Sequence, residues 1–230
     1  MNPIPREPRQ ARSRVSEAKL IEATITTLQA HGFEETTVPR IARTAGLTSG
    51  ALYRRFTDKD ELLRRCVLHV LEDQLHHTRA LLPEDRVERC PLTELVTDIV
   101  ADMLTSYRSR PRLIEALMQV MKSSSDEAFR EKAAALEVAT MDHLVKTLLK
   151  KRDEIRHPEP KTAIRMAFLV LSASLGAIFV RHPDRTALKS VAPFNDATLQ
   201  REMERLVLGY LGVRNLAEAN VEKGRRTRAS

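Results

Sequence analysis

The stretch TSGALYRRFTDK, from Thr48 to Lys59, gathers hydroxyls (Thr48, Ser49), a phenol (Tyr53) and cations (Arg54, Arg55, Lys59) around one glycine, Gly50. None of these side chains gains much by burial, and each suits a nucleic-acid duplex. Hydroxyls and the first amides of a helix bind phosphate oxygens, and a tyrosine OH does so from a stiff ring. An arginine can reach guanine O6 and N7 or another phosphate. Gly50 lets backbone come close to a groove wall.

Two short helices must position these groups. Thr37 can cap the first, Val38–Ala45, where Pro39 is tolerated because first-turn N–H groups have no intrahelical partner. Ile41 points inward, and small Ala42 allows a close approach. Gly46 supplies the positive φ of a sharp inter-helix turn. Leu47 packs down, Thr48 caps the second helix, Ser49–Phe56, and Leu52 with Phe56 anchors its inner face. The pattern is a helix-turn-helix whose outer face is Thr48, Ser49, Gly50, Tyr53, Arg54 and Arg55. Asp58 and Glu61 form a D-x-x-E capping box for the long helix that follows. Lys59 opposes that helix's dipole, yet beside DNA a cation and the first amides can share one phosphate. Upstream, SEAKLIEATITTLQAHGF reads as a helix capped by Ser16, with Leu20, Ile21, Ile25 and Leu28 at helical spacing. Gly32 fits its left-handed end, and Phe33 folds back on Leu28.

Residues 16–63, with the helix ending HGF and the run ALYRRF-x-x-K, resemble the N-terminal DNA-binding domain of the tetracycline-repressor (TetR) family. The resemblance implies phosphate contacts from Thr37, Thr48, Tyr53 and Lys59, and base-edge or groove contacts from Ser49, Gly50 and Arg54. It implies a homodimeric repressor on a palindromic double-stranded DNA operator, released by a small-molecule effector. Ser49 and Arg54 depart from the family pattern, so the operator sequence does not transfer. The alternative is a helical small-metabolite-binding protein whose DNA contact is incidental. A third reading, an all-α enzyme built around His143, lacks support: there is no G-x-S-x-G, no phosphate-cradling glycine loop and no H-E-x-x-H.

The remaining chain is consistent with an all-α fold. Of 230 residues 42% are hydrophobic and only 4% aromatic, with no Trp and 7 Gly. That balance excludes wholesale disorder and favours helix. A net charge of +7 fits a polyanionic partner. Two cysteines, Cys66 and Cys90, have neither metal nor disulfide spacing, which suits free thiols in a reducing cytoplasm. His76 and His77, with Cys66 ten residues earlier, make no tetrahedral set, and neither a metal nor a cofactor is expected.

Four regions are expected: a basic flexible arm at 1–15, the helix-turn-helix domain at 16–62, a helical effector-binding and dimerisation domain at 63–213, and a basic disordered tail at 214–230. Within the larger domain, Met166 to Val180 is fifteen uncharged residues bracketed by Arg165 and Arg181. It falls short of the roughly 20 a membrane span needs and reads as a helix buried on nearly every side, with no membrane partner. That helix and the amphipathic one after residue 196 are expected to pair with their copies in a four-helix bundle. The interface set is Phe168, Leu171, Leu175, Gly176, Ile178, Phe179, Met203, Leu206, Val207 and Tyr210. For the effector pocket the candidates are Met103, Tyr107, Met118, Met121 and His143, adaptable apolar lining with two polar handles.

Overall fold

Proline and glycine set most of the helix boundaries. The computed structural model describes residues 9–180 and 194–213, and those before Val15 as backbone only. Ten α-helices occur there: α1 Arg9–His31, α2 Val38–Thr44, α3 Ser49–Tyr53, α4 Lys59–Leu81, α5 Glu84–Arg89, α6 Leu92–Ser109, α7 Pro111–Ser123, α8 Glu127–Leu148, α9 Pro160–Phe179 and α10 Asp196–Leu211. A 3-10 turn, Leu149–Glu154, extends α8. No strand occurs among the described residues, so the all-α expectation holds. Pro111 and Pro160 stand at helix starts, where a missing N–H costs nothing.

Several boundaries differ from the expectation. The first helix begins at Arg9, inside the segment expected to be a flexible arm, so Ser16 lies within it. Residues 1–8 of that arm and the tail at 214–230 lie outside the described residues. The second helix of the helix-turn-helix ends at Tyr53 instead of Phe56. The six-residue α5 was not anticipated, because Val87 is its only buried residue and leaves no periodicity to read.

The chain forms two compact units. One comprises the described residues up to Asp73 together with Arg110–Leu136; the other begins at Gln74 and takes in Ser109 and everything from Glu137 onward. The division therefore falls inside α4 and α8, later than the expected boundary at residue 62.

In the first unit, Leu20, Ile21, Ile41, Leu52, Phe56, Leu62 and Cys66 make one apolar cluster beneath the helix-turn-helix. Leu28, Leu63, Val67, Leu113, Val120 and Phe129 make a second. Leu20, Ile41, Leu52 and Leu62 are fully buried, and burying each such side chain contributes about 1.5–3 kcal/mol. Burial also pushes the Cys66 thiol up to about 12, so it is an inert core residue.

The second unit is built on α6, α9 and α10, whose apolar faces share one core. Glu154 accepts a hydrogen bond from the Leu92 N–H (2.7 Å) at the start of α6. The Leu211 carbonyl at the end of α10 accepts from the N–H groups of Arg156 and His157, at 3.1 and 3.2 Å. These bonds satisfy helix-end groups that would otherwise lack partners.

Two expectations fail here. The α9 helix is not buried all round: Met166, Leu169 and Val170 are exposed, although the helix is long and apolar enough to cross a membrane by length and composition. Conversely, Phe168, Leu171, Leu175, Phe179, Met203 and Val207, expected at a subunit interface, fill this unit's own core. Ile178 packs partly buried against that core, and a Cβ on Gly176 would meet the Tyr107 ring at 3.9 Å. Only Leu206 and Tyr210 of that set stay exposed. Because α9 is apolar on every side, its periodicity cannot tell a core face from a surface face.

Candidate nucleic-acid interface

The geometry of the turn follows from three residues. Gly46 has φ +65°, a conformation that costs an L-residue about 1–2 kcal/mol. The chain reverses there, with the Leu47 N–H donating to the Ala42 carbonyl at 2.9 Å. Thr48 then stands at the N-cap of α3, its Oγ1 accepting from the Ala51 N–H at 3.3 Å. Leu52 is fully buried and Phe56 nearly so, which fixes the rotation of α3 and turns its other side outward.

That outward side holds the expected residues. Thr48, Gly50, Tyr53 and Arg54 are exposed, and Ser49 is half-buried. Tyr53 is 57% exposed, unusual for a large ring when a core lies one residue away at Leu52. Arg54 is the C-cap of α3, its backbone N–H bonded to the Gly50 carbonyl at 3.2 Å. Neither Tyr53 nor Arg54 lies beneath another helix.

The phosphate-directed residues flank this face. Thr37 occupies the N-cap position of α2, yet its hydroxyl does not cap the helix; it is exposed and makes no hydrogen bond among the described residues. Lys59 is the first residue of α4. Its Nζ lies over the Phe33 ring, 5.1 Å from the centroid. The capping box beside it is formed with a one-residue offset on its return arm. Asp58 Oδ1 accepts from the Glu61 N–H at 2.7 Å, while Glu61 accepts from both the N–H (2.6 Å) and the hydroxyl (2.7 Å) of Thr57. The Thr57 N–H, then its hydroxyl, hold the Glu61 carboxyl below the usual carboxylate range.

Sequence reasoning missed Arg43. It is exposed on the last turn of α2 and makes no side-chain hydrogen bond or ion pair among the described residues. The signal was available, since Arg40 and Arg43 are three apart on one helix side. Arg40 is engaged, paired with Glu35 at 2.8 Å.

The five expected pocket residues are divided between the two units. Met118 and Met121 belong to α7 in the first unit, Met118 exposed and Met121 packed against its second cluster. Met103, Tyr107 and His143 belong to the second unit. There Tyr107 Oη and Ser172 Oγ are hydrogen-bonded at 2.7 Å, and Met103 packs against the core. His143 Nε2 is buried without a hydrogen-bond partner among the described residues. Burial, then the charges of Arg79 and Lys146, hold its imidazole below the ordinary histidine range. The described residues contain no group of three or more His, Cys, Asp or Glu arranged to hold a metal.

A helix-turn-helix with a buried inner face and an exposed polar outer face defines a DNA-binding class of all-α protein. Residues 20–66 match the family described as bacterial regulatory proteins, tetR family. That match covers about a fifth of the chain, its helix-turn-helix region. It is 33% identical over 110 residues to the HTH-type transcriptional regulator TtgR of Pseudomonas putida, covering 47% of this chain and 52% of that one. It is 35% identical over 66 residues to the HTH-type transcriptional regulator BetI of Paraburkholderia phymatum, covering 29% of this chain and 34% of that one. The matched stretch thus spans between a third and about half of these curated relatives. Among solved structures, a TetR-family transcriptional regulator from Mesorhizobium loti aligns over 87% of this chain and 97% of its own, with TM-score 0.65 and 16% identity. That likeness is one of fold.

Proposed function

We propose that the chain is a cytoplasmic transcriptional repressor that binds a palindromic operator as a homodimer and leaves it when a small molecule binds. The observation that carries the DNA part is the outer side of α3, where Tyr53 and Arg54 stand exposed beside a fully buried Leu52. Each subunit would place Ser49–Arg54 in a major groove, the two recognition helices roughly 34–36 Å apart. Thr37, Thr48, Tyr53 and Lys59 would hold phosphates, with Arg43 as a further contact.

The dimer reading draws on the exposed apolar residues of α9 and α10. The effector reading draws on the second unit, where the partnerless Nε2 of His143 offers a hydrogen bond to a polar atom of a ligand. An effector shifts the protein toward release only by its differential affinity for the non-binding conformer. The protein binds its ligands and does not transform them.

Gel shifts of the purified chain on its own upstream region test the reading. Tight binding at moderate salt, lost when one half of the palindrome is scrambled, is the expected result. Binding that ignores the palindrome would reduce the chain to a metabolite-binding protein with incidental DNA affinity.

A further inference from the structure

Lysine is an awkward choice at the start of a helix, where the positive end of the dipole repels it. Lys59 nevertheless stands at the first position of α4. Its ammonium lies 5.1 Å from the centroid of the Phe33 ring, within the distance at which an aromatic face attracts a cation. Phe33 is itself fixed. Gly32, at φ +77°, turns the chain at the end of α1, its N–H bonded to the Leu28 carbonyl at 2.8 Å, and Phe33 packs against the cluster that contains Leu28.

The neutrality of the ring is the informative feature. Three arginines of this unit are held by carboxylates: Arg40 by Glu35, Arg64 by Asp126, Arg65 by Glu17. Each such pairing cancels the charge it positions. No carboxylate lies within ion-pairing distance of Lys59 among the described residues, and the ring restrains the ammonium without neutralising it. A flexible lysine loses rotamer entropy when it is immobilised, and partial restraint before binding reduces what remains to be lost on contact.

We infer that Phe33 is a positioning residue for DNA binding: it pre-orients the Lys59 ammonium as a full charge toward a phosphate, without touching DNA itself. The inference rests on the DNA-binding reading of the helix-turn-helix.

The test is a double-mutant cycle in the full chain. Affinity for a fluorescent duplex from its own upstream region is measured by anisotropy across a salt series. Lys59→Gln is expected to weaken binding and lower the salt slope by about one. Phe33→Leu, which keeps an apolar group but removes the π face, is expected to weaken binding about two- to five-fold. Phe33→Tyr restores it. In the Lys59→Gln background Phe33→Leu has no further effect. Equal losses from Phe33→Leu in both backgrounds, or no loss at all, overturn the inference and leave Phe33 a packing residue. If Lys59→Gln and Tyr53→Phe both leave binding intact, the DNA reading itself fails. Should Phe33→Leu not fold, the unsubstituted protein still decides. Upfield ring-current shifts of the Lys59 ε-methylene protons in its NMR spectrum support the contact, and ordinary shifts refute it.

Discussion

At the scale of single residues, two kinds of contact are separable on α3. Tyr53 offers one hydroxyl from a rigid exposed ring, a geometry suited to a phosphate. Tyr53→Phe should therefore weaken binding by a similar factor on operator and on scrambled duplex, because phosphates carry no base information. Arg54 is longer and stands at the helix end. If it reads a guanine, Arg54→Ala should cost roughly 1–3 kcal/mol and relax preference at one half-site position, seen by binding to a panel of single-base operator variants. Uniform loss across the panel would reassign it to a phosphate. His143 makes a different prediction. Its folded-state pKa lies below the ordinary value of 6.5, so below pH 6.5 the unfolded chain binds the proton more readily. Stability falls on acidification through that value, and His143→Gln should flatten that part of the urea-denaturation profile. An unchanged pH dependence would mean the imidazole is not held neutral by burial.

At the scale of elements, the start of α4 shows how sequence specifies structure. The Asp58-x-x-Glu61 box was legible because capping chemistry is local, needing only side chains and amides three or four residues apart. The Glu61 carboxyl is depressed by the Thr57 N–H and hydroxyl. Its contribution is thus complete above about pH 4.5, the ordinary glutamate value, and fades as pH falls through the lower folded value. Glu61→Gln should destabilise by a few tenths to about 1 kcal/mol at neutral pH, and the gap from the unsubstituted chain should close in urea titrations as pH falls through that lower value. A gap that persists in acid would assign the loss to packing. The same locality made Gly32, Gly46 and the buried Leu52 readable, and with them most of the DNA-facing side. It fails where structure depends on distant partners. The second helix of the pair stops at Tyr53, although the Phe56 N–H still donates to the Leu52 carbonyl at 3.0 Å and Phe56 joins the core. The short α5 has a single buried residue to announce it. The rotation of α9 was unreadable, since a helix rich in Leu, Phe, Val and Ala on all sides carries no moment to say which side meets its own chain.

At the scale of the whole molecule, that ambiguity becomes a prediction about assembly. Two copies of a chain with net charge +7 repel one another, so a dimer needs an apolar seam to outweigh the repulsion. The core claims Phe168, Leu171, Leu175 and Phe179. It leaves Met166, Leu169 and Val170 on α9, with Leu206 and Tyr210 on α10, in solvent. Spacings of three and four residues put each set on one helical side, the arrangement a four-helix bundle of two helices per subunit requires. Leu169 and Leu206, 60% and 64% exposed, are its largest open aliphatic side chains. Leu169→Lys or Leu206→Glu should therefore yield monomers by light scattering at micromolar concentration, with helicity by circular dichroism unchanged. Leu175→Lys, at a fully buried site, should instead unfold the second unit. If the exposed-site variants stay dimeric, the seam lies elsewhere on the chain. If they become monomeric and yet keep full affinity for the intact palindrome, the operator is read by single subunits and the symmetric dimer has no part in recognition.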